Sequence, residues 1–391
     1  VEVGAVSREG RWILWAAGGL FVIGLVMVFS ASACRSIMKF QAPHLWFGRQ
    51  LLYSVVALAC FAVLYAVDYR RLLALWPYIF GATVIALALV FVPPIGRRIN
   101  DSARWIKLGG YFCQPSEFAK LTLIICTAGF LAQRRERIDR FFGTFVPAML
   151  GVGVYFGLIL AEPDLGTAAF VFSFAIVLLL VAGVRVWYLG IAGVLASPAI
   201  AAVAYLKWDK IVSRFQGVLN PGDQPQVHQS LVALGSGGLA GKGLGAGTQK
   251  LGHLPECFTD FIFGVFGEEC GYLGVCVVLA LYAVLLVCGL RIALRARDFS
   301  GFLIAFGAVF SLVFQAVVNI AVVSGAAPTK GISLPLMSYG GSGLALAFAE
   351  IGLILNVARR TYLDELRAGA PAPDARGRAT RIERAGEAAH A

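Results

Sequence analysis

The sequence predicts an all-α polytopic membrane protein. About ten transmembrane helices are expected, with a large extracytoplasmic loop between helices 7 and 8. Three observations predict this. Hydrophobic residues make up 59% of the 391 residues and charged residues only 14%, whereas a soluble chain is nearer half apolar and a quarter charged. Apolar runs near bilayer-spanning length recur along the chain. Basic residues gather in alternate connecting loops, as the positive-inside rule requires.

The apolar runs lie near 12–33, 48–67, 72–93, 117–133, 144–161, 165–184, 186–206, 265–290, 301–324 and 338–357. The first follows Arg8 and Arg11 and ends at "ASAC" (31–34), which faintly resembles a cleavage or lipoprotein site. The run is long for a signal peptide and Ala31, not Leu, precedes Ser32, so it reads as a retained first span. Residues 1–11 are then a cytoplasmic N-terminus, 12–360 the transmembrane domain, and 361–391 a tail. That tail, "RAGAPAPDARGRATRIERAGEAAHA" from 367, has no apolar face and reads as disordered and cytoplasmic. The eight cysteines show no zinc-type spacing and mostly sit inside apolar runs, as small core hydrophobes do.

With both ends in the cytoplasm, the inner loops carry Arg70 and Arg71, "RRERIDR" (134–140), Arg185, then Arg291, Arg295 and Arg297, and Arg359 and Arg360. Two outer loops break the rule. "GRRINDSARWIKLGG" (96–110) carries Arg97, Arg98, Arg104 and Lys107, and the loop from 207 to about 264 carries Lys207, Lys210, Arg214, Lys242 and Lys250. Loop 327–337 adds Lys330. Either these cations pair with local acids or face water, or they bind an anionic ligand such as phosphate or pyrophosphate.

Ionisable residues in apolar runs are functional candidates by default. Glu117 and Lys120 open the fourth span, share a helix face, and either form a structural ion pair or line a wet cavity. Asp164 is placed to cap the sixth span or to serve a site. "LPECFTDFIFGVFGEECGYLG" (254–274) sets Asp260, Glu268 and Glu269 at the lip of an apolar run. Glu268 lies about 80° round an ideal helix from Asp260, so a same-face acid pair is not expected. The run "GSGGLAGKGLGAGTQK" (235–250) fails the P-loop pattern, because Ser236 holds the first glycine position and Gly243 follows Lys242. It reads as a tight loop whose backbone amides could approach an anion. Ser338 and Ser342 lack a base at a compelling spacing, and their glycine-rich setting suits close helix packing.

Six blocks now carry a resemblance. They are "VFSASA", "ARWIKLGGYFCQPSEFAKL", "EPDLGTA", "QSLVALGSGGLAGKGLGAGTQKLGHLPE", "TDFIFGVFGEECGYLG" and "PTKGISLPLMSYGGSG". In this order, from about 12 to 360, they resemble the SEDS family, the polytopic peptidoglycan polymerases that include FtsW, RodA and SpoVE. "PTKG" and "GEE" resemble the division branch, FtsW and SpoVE, more than RodA.

The resemblance implies a glycosyltransferase that polymerises lipid II into glycan strands at the outer face of the bacterial cytoplasmic membrane, at the division site. Undecaprenyl pyrophosphate is the leaving group. It implies a class B penicillin-binding protein as partner, with other division proteins and membrane lipids, and no nucleic acid. Asp260 matches the family's catalytic acid, a general base for the acceptor hydroxyl. Arg104 is assigned to the pyrophosphate, Glu117 and Lys120 to the cavity wall, and Arg214 and Lys330 to phosphate contacts. A divalent cation, Mg or Mn, is expected with no evident ligand set. The chain departs from the family at Cys257 and Phe258, where a small residue and His are usual, and at Pro225, where Tyr is common; His253 is a possible substitute for the missing His. A lipid II flippase and a non-catalytic scaffold for the penicillin-binding protein are the rival readings.

Overall fold

Each of the ten apolar segments folds as helix, because backbone amides in an apolar surrounding must find partners within their own segment. The computed structural model describes residues 7–367, apart from 43, 94, 100, 101, 109, 110, 207, 209–211, 213–221 and 223. The helices are α1 (Arg8–Phe40), α2 (Leu45–Ala66), α3 (Tyr69–Ala74), α4 (Trp76–Leu89), α5 (Pro115–Ala132), α6 (Val146–Ala161), α7 (Leu165–Val181), α8 (Val186–Leu206), α9 (Pro225–Ser236), α10 (Ile262–Arg295), α11 (Phe299–Val323) and α12 (Gly341–Arg367). Among the described residues, seven are long and apolar enough to cross a membrane. Helices α4 and α7 are shorter apolar helices. The third expected span is divided into α3 and α4, with Pro77 in the first turn of α4, where its missing N–H costs nothing.

Two expectations are corrected. The fold is not purely α: residues 96–113 form an antiparallel sheet of β1 (Gly96–Ile99), β2 (Ser102–Leu108) and β3 (Tyr111–Cys113), in that order. In "RWIKL" Arg104, Ile106 and Leu108 fall on one face of β2 and Trp105 and Lys107 on the other, so each face mixes basic and apolar residues. Trp105 pairs with Arg97 and Lys107 with Phe112. The stretch 207–264 is also not all loop, since α9 lies within it. Pro225 opens α9, and Val227, Ser230 and Ala233 form its buried face. Ser230 Oγ donates to Val323 O at 2.8 Å, which ties α9 to the end of α11. Helix α12 continues to Arg367, and the rest of the tail lies outside the described residues.

Helix α12 is the centre of the bundle. Leu344 to Ala358 are all buried, packed by α2, α5, α10 and α11. A helix apolar on every side belongs in such a position. One end of the bundle is basic and carries the ion pairs Arg70–Asp364 (2.7 Å), Arg295–Glu9 (2.6 Å) and Arg360–Asp68 (3.4 Å). The N-termini of α5, α7, α10 and α12 lie at the other end.

Helix α10 is broken at Gly271, where φ is 65° and ψ is −170°. Only glycine adopts that region readily. The glycine-rich run threads into the break. Tyr272 N and Leu273 N donate to Gly238 O and Leu239 O (2.9 and 3.1 Å). Lys242 N and Gly243 N donate to Glu268 O and Glu269 O (3.0 Å each). The groups freed by the break are thus satisfied by the loop. A Cβ on Gly271 would lie 2.2 Å from Gly241 N. Gly271→Ala is therefore expected to cost roughly 3 kcal/mol or more and to lower the melting temperature by at least about 5 °C, read by thermal unfolding in detergent.

Candidate functional site

The turn before α10 carries Asp260, and its backbone is held at three successive carbonyls. Tyr339 N donates to Phe258 O at 2.9 Å. Ser338 Oγ donates to Thr259 O at 2.6 Å and accepts from Leu334 N at 2.8 Å. Asn319 Nδ2 donates to Asp260 O and to Ile332 O, both at 2.7 Å. Asn319 is buried on α11, so one amide joins the Asp260 turn to the 330–340 loop. Ser342 is engaged too, its Oγ accepting from Gln114 N at 3.0 Å. Both serines are therefore occupied with backbone.

Phe258 is buried in a trio of rings with Trp46 (5.6 Å) and Tyr339 (5.5 Å). The Arg35 guanidinium lies over it at 5.6 Å. The residue standing where the family usually has His thus packs the turn. His253 is exposed.

Asp260 itself is half-buried. A Cβ on Gly331 would lie 3.3 Å from its Oδ2, so the glycine leaves room beside the carboxyl. Burial first, then the charges of Glu256 and Glu117, push the Asp260 carboxyl up to about 7; Arg104 pulls it down, and Asp164 adds a small push upward. This is the range in which a carboxylate works as a general base at neutral pH.

Arg104, on β2, reaches across to the α6–α7 junction. Its Nη1 lies 3.3 Å from Asp164 Oδ2, and its Nη2 donates to Pro163 O at 3.2 Å. Asp164 also caps α7, accepting from Thr167 N (3.0 Å) and Thr167 Oγ1 (2.9 Å). Both expected roles of Asp164, cap and site neighbour, are thus present. Beside it Glu162 is fully buried, with neither carboxyl oxygen hydrogen-bonded among the described residues. Burial, then the Asp164 charge, push Glu162 up to about 8, against Arg104 and Ser116. Lys330 lays its stem beside Gly166 at the start of α7.

Glu117 and Lys120 pair at 2.8 Å on α5. Lys120 is only 2% exposed, and its Nζ also donates to Gln315 Oε1 at 2.6 Å. Any effect of Lys120 on a ligand therefore passes through Glu117, whose side chain is partly open. Arg214 lies outside the described residues. Of the readings open for the outer-loop cations, Lys242 and Lys250 take the pairing with local acids, Glu268 (2.7 Å) and Glu269 (2.5 Å). Thr248 N and Gln249 N donate to Glu268, and Gly245 N to Glu269. The glycine-rich loop does cradle anions, but they are the protein's own carboxylates.

Among the described residues, no three His, Cys, Asp or Glu side chains converge as metal ligands. Sequence reading did not single out Asn319, Gln315, Glu162 or Glu256. A signal existed for the first two: Ser311, Gln315 and Asn319 recur every four residues in the otherwise apolar α11, a polar stripe on one face.

Replacing Asn319 by Ala strips two buried carbonyls of their donor, at about 1–3 kcal/mol each. The variant is expected to fold with a lowered melting temperature and to lose at least about tenfold in turnover, because the Asp260 turn is no longer fixed. Unchanged turnover by a folded Asn319→Ala protein would show that the clamp does not position Asp260.

Known proteins resemble this chain in sequence and in fold. A family model described as "Cell cycle protein", covering FtsW, RodA and SpoVE, matches residues 11–363. A relative from Geobacter sp. (strain M18), named "Probable peptidoglycan glycosyltransferase FtsW", is 40% identical over 353 residues, 89% of this chain and 96% of that protein. "Stage V sporulation protein E" of Bacillus subtilis (strain 168) is 38% identical over 345 residues, 87% of this chain and 94% of that protein. Among solved structures, a chain described under "Structural coordination of polymerization and crosslinking by a peptidoglycan synthase complex" superposes with a TM-score of 0.73 at 30% identity, covering 90% of this chain and 97% of that one. The crystal structure of the Thermus thermophilus rod shape determining protein RodA gives a TM-score of 0.65 at 30% identity, over 90% and 96% of the two chains. The chain belongs to the FtsW, RodA and SpoVE family of cell cycle proteins.

Proposed function

We propose that the chain is a peptidoglycan glycosyltransferase of cell division that polymerises lipid II, with Asp260 as general base. The observation that carries this reading is the Asp260 carboxyl, its backbone fixed at the end of the bundle, raised to about 7 and acted on by the nearby Arg104 guanidinium. Asp260 takes the proton of the acceptor sugar's 4-hydroxyl as that oxygen attacks C1 of the donor sugar. The bond from C1 to the pyrophosphate oxygen breaks, C1 is inverted, and undecaprenyl pyrophosphate leaves. Arg104 holds the pyrophosphate, helped by Lys330 and Arg214. Glu117 lines the cavity, with Lys120 behind it.

The described residues do not fit a resident metal, since no ligand group converges. A divalent cation, Mg or Mn, is read here as part of the substrate, accompanying the pyrophosphate. The site end of the bundle is the outer face, and the end with Arg70, Arg295 and Arg360 is cytoplasmic, with both termini there. Ten spans and an outer segment between α8 and α10 complete this topology, in the inner membrane at the division site. The crosslinking partner is a class B penicillin-binding protein, alongside other division proteins. Lys120 lies deep in the bundle but is sealed, so it offers a lipid carrier no accessible charge, which counts against the flippase reading.

The test is glycan polymerisation from purified lipid II and a divalent cation, by protein reconstituted with its partner lacking the crosslinking serine. Wild type makes polymer, and Asp260→Asn loses at least about a hundredfold. Lipid II translocation without polymer would move the assignment to a flippase. The pH profile of wild type should fall as pH drops through about 7, where Asp260 gains its proton.

Stability runs the other way. The folded carboxyl titrates above its unfolded value of 3.8, so ionising it costs folding energy that grows from about pH 4 to about 7. Asp260→Asn should therefore melt no lower than wild type at pH 8, and higher by a few degrees if the site stays closed. Its advantage should vanish near pH 4. A lower melting temperature at pH 8 would show that the carboxylate is held by favourable partners.

A further inference from the structure

Helix α12 carries one acid deep in the bundle. Glu350 is 2% exposed, and its Oε1 has no hydrogen-bond partner among the described residues. It stands seven residues after Gly343, two turns along the same helix face. At Gly343 a Cβ would lie 3.9 Å from Glu117 Oε2 and 3.1 Å from Ser333 Oγ. Glu350 is thus about 10 Å deeper on the α12 face that meets Glu117. Long helical side chains lean toward their own N-terminus, so its carboxyl leans back toward the level of Lys120. The groups acting on that carboxyl are Ser311 of α11 and Lys120 and Glu117 of α5.

Lys120 is a buried ammonium, strongly unfavourable without a counter-charge. One carboxyl pairs with it directly, and a second acts on it from α12 without touching it. Glu117 touches it at 2.8 Å but has a partly open side chain (13%), whereas Glu350 is sealed. Gln315 holds the ammonium from α11, at 2.6 Å, and is itself fixed by donating to Ser333 O at 2.9 Å. The lysine is therefore held in place whichever acid neutralises it.

We propose that Glu350 is a reserve counter-ion for Lys120: when Glu117 turns from it toward Asp260, Glu117 takes up the proton that Glu350 gives up, and the Glu350 carboxylate then neutralises the buried ammonium. Glu117 is then free to meet substrate without stranding a charge in the membrane interior. That use of Glu117 rests on the reaction proposed above; the counter-ion role does not. Glu350 is a positioning residue, acting through Lys120 and Glu117 rather than on the sugar.

The test is a melting cycle on the purified full chain, with polymerisation read alongside. Glu117→Gln and Glu350→Gln should each lower the melting temperature by only about 2–4 °C, since one acid remains. The double variant should lose roughly 10 °C or more, because Lys120 then has no buried anion. Adding Lys120→Met to the double variant should restore most of that loss. If the double variant does not fold, Lys120→Met must restore folding. Glu350→Gln alone should lower kcat for lipid II about tenfold with KM within about twofold, and Glu350→Asp should recover part of it. Additive melting losses, no rescue by Lys120→Met, or wild-type kcat from Glu350→Gln would overturn the proposal. Should wild type itself make no polymer, the reaction assignment fails while the melting cycle still decides the role of Glu350.

Discussion

The side-chain amide of Asn319 holds the site together. Its Nδ2 donates to Asp260 O and Ile332 O, both at 2.7 Å, from a buried position on α11. In an apolar bundle a carbonyl without a donor is costly, and a satisfied one is rigid. The amide therefore fixes the spacing of two loops that have no secondary structure of their own. Ser338 and Tyr339 complete the grip on the preceding two carbonyls. The reaction proposed for Asp260 needs its carboxyl placed to a fraction of an ångström, and this clamp fixes the backbone that carries it through carbonyl contacts alone.

On its other side the Asp260 turn leads directly into α10, whose first stretch is braced from outside. The break at Gly271 frees backbone groups, and residues 238–243 take them up as a strand would. Glu268 and Glu269, just before the break, gather the ammonium groups of Lys242 and Lys250 and the amides of residues 245, 248 and 249. Both carboxylates are buried and fully engaged, so they stiffen the helix that carries the turn. The glycines are needed because the loop lies against backbone: a Cβ on Gly241 would fall 2.1 Å from Glu269 O.

The electrostatics of the site are dominated by acids. Glu256, Glu117 and Asp164 act on Asp260, Asp164 acts on Glu162, and the Arg104 guanidinium opposes them at both carboxyls. So many carboxyls in partly desolvated positions cannot all be ionised cheaply, which is why Asp260 and Glu162 are both raised. An anionic substrate is repelled by this field unless protons or an accompanying cation offset it. The same field makes Asp260 a better base for a hydroxyl than an exposed carboxylate would be. Arg104, tied to Asp164, is pre-oriented rather than free to swing, and its geometry is set by the cap of α7.

Much of the fold was legible in the sequence, because membrane helices are written as long apolar runs and each run did become helix. The family blocks drew attention to Asp260, but the helical angle expected between it and Glu268 does not apply, because Asp260 lies in the turn before α10, which begins at Ile262. What the sequence could not decide was pairing. Lys242, Lys250 and Arg104 look alike as loop cations, yet two neutralise acids of α10 and the third pairs with Asp164 at the α6–α7 junction. The short sheet at 96–113 was hidden because its strands carry no clean alternation of polar and apolar residues. The contributions of Asn319, Gln315 and Glu350 depend on contacts between α5, α11 and α12, which lie far apart in the chain. Hydropathy is a local property and fixed which segments are buried. Which polar group meets which inside them is a property of the packed bundle, and only the tertiary structure decided it.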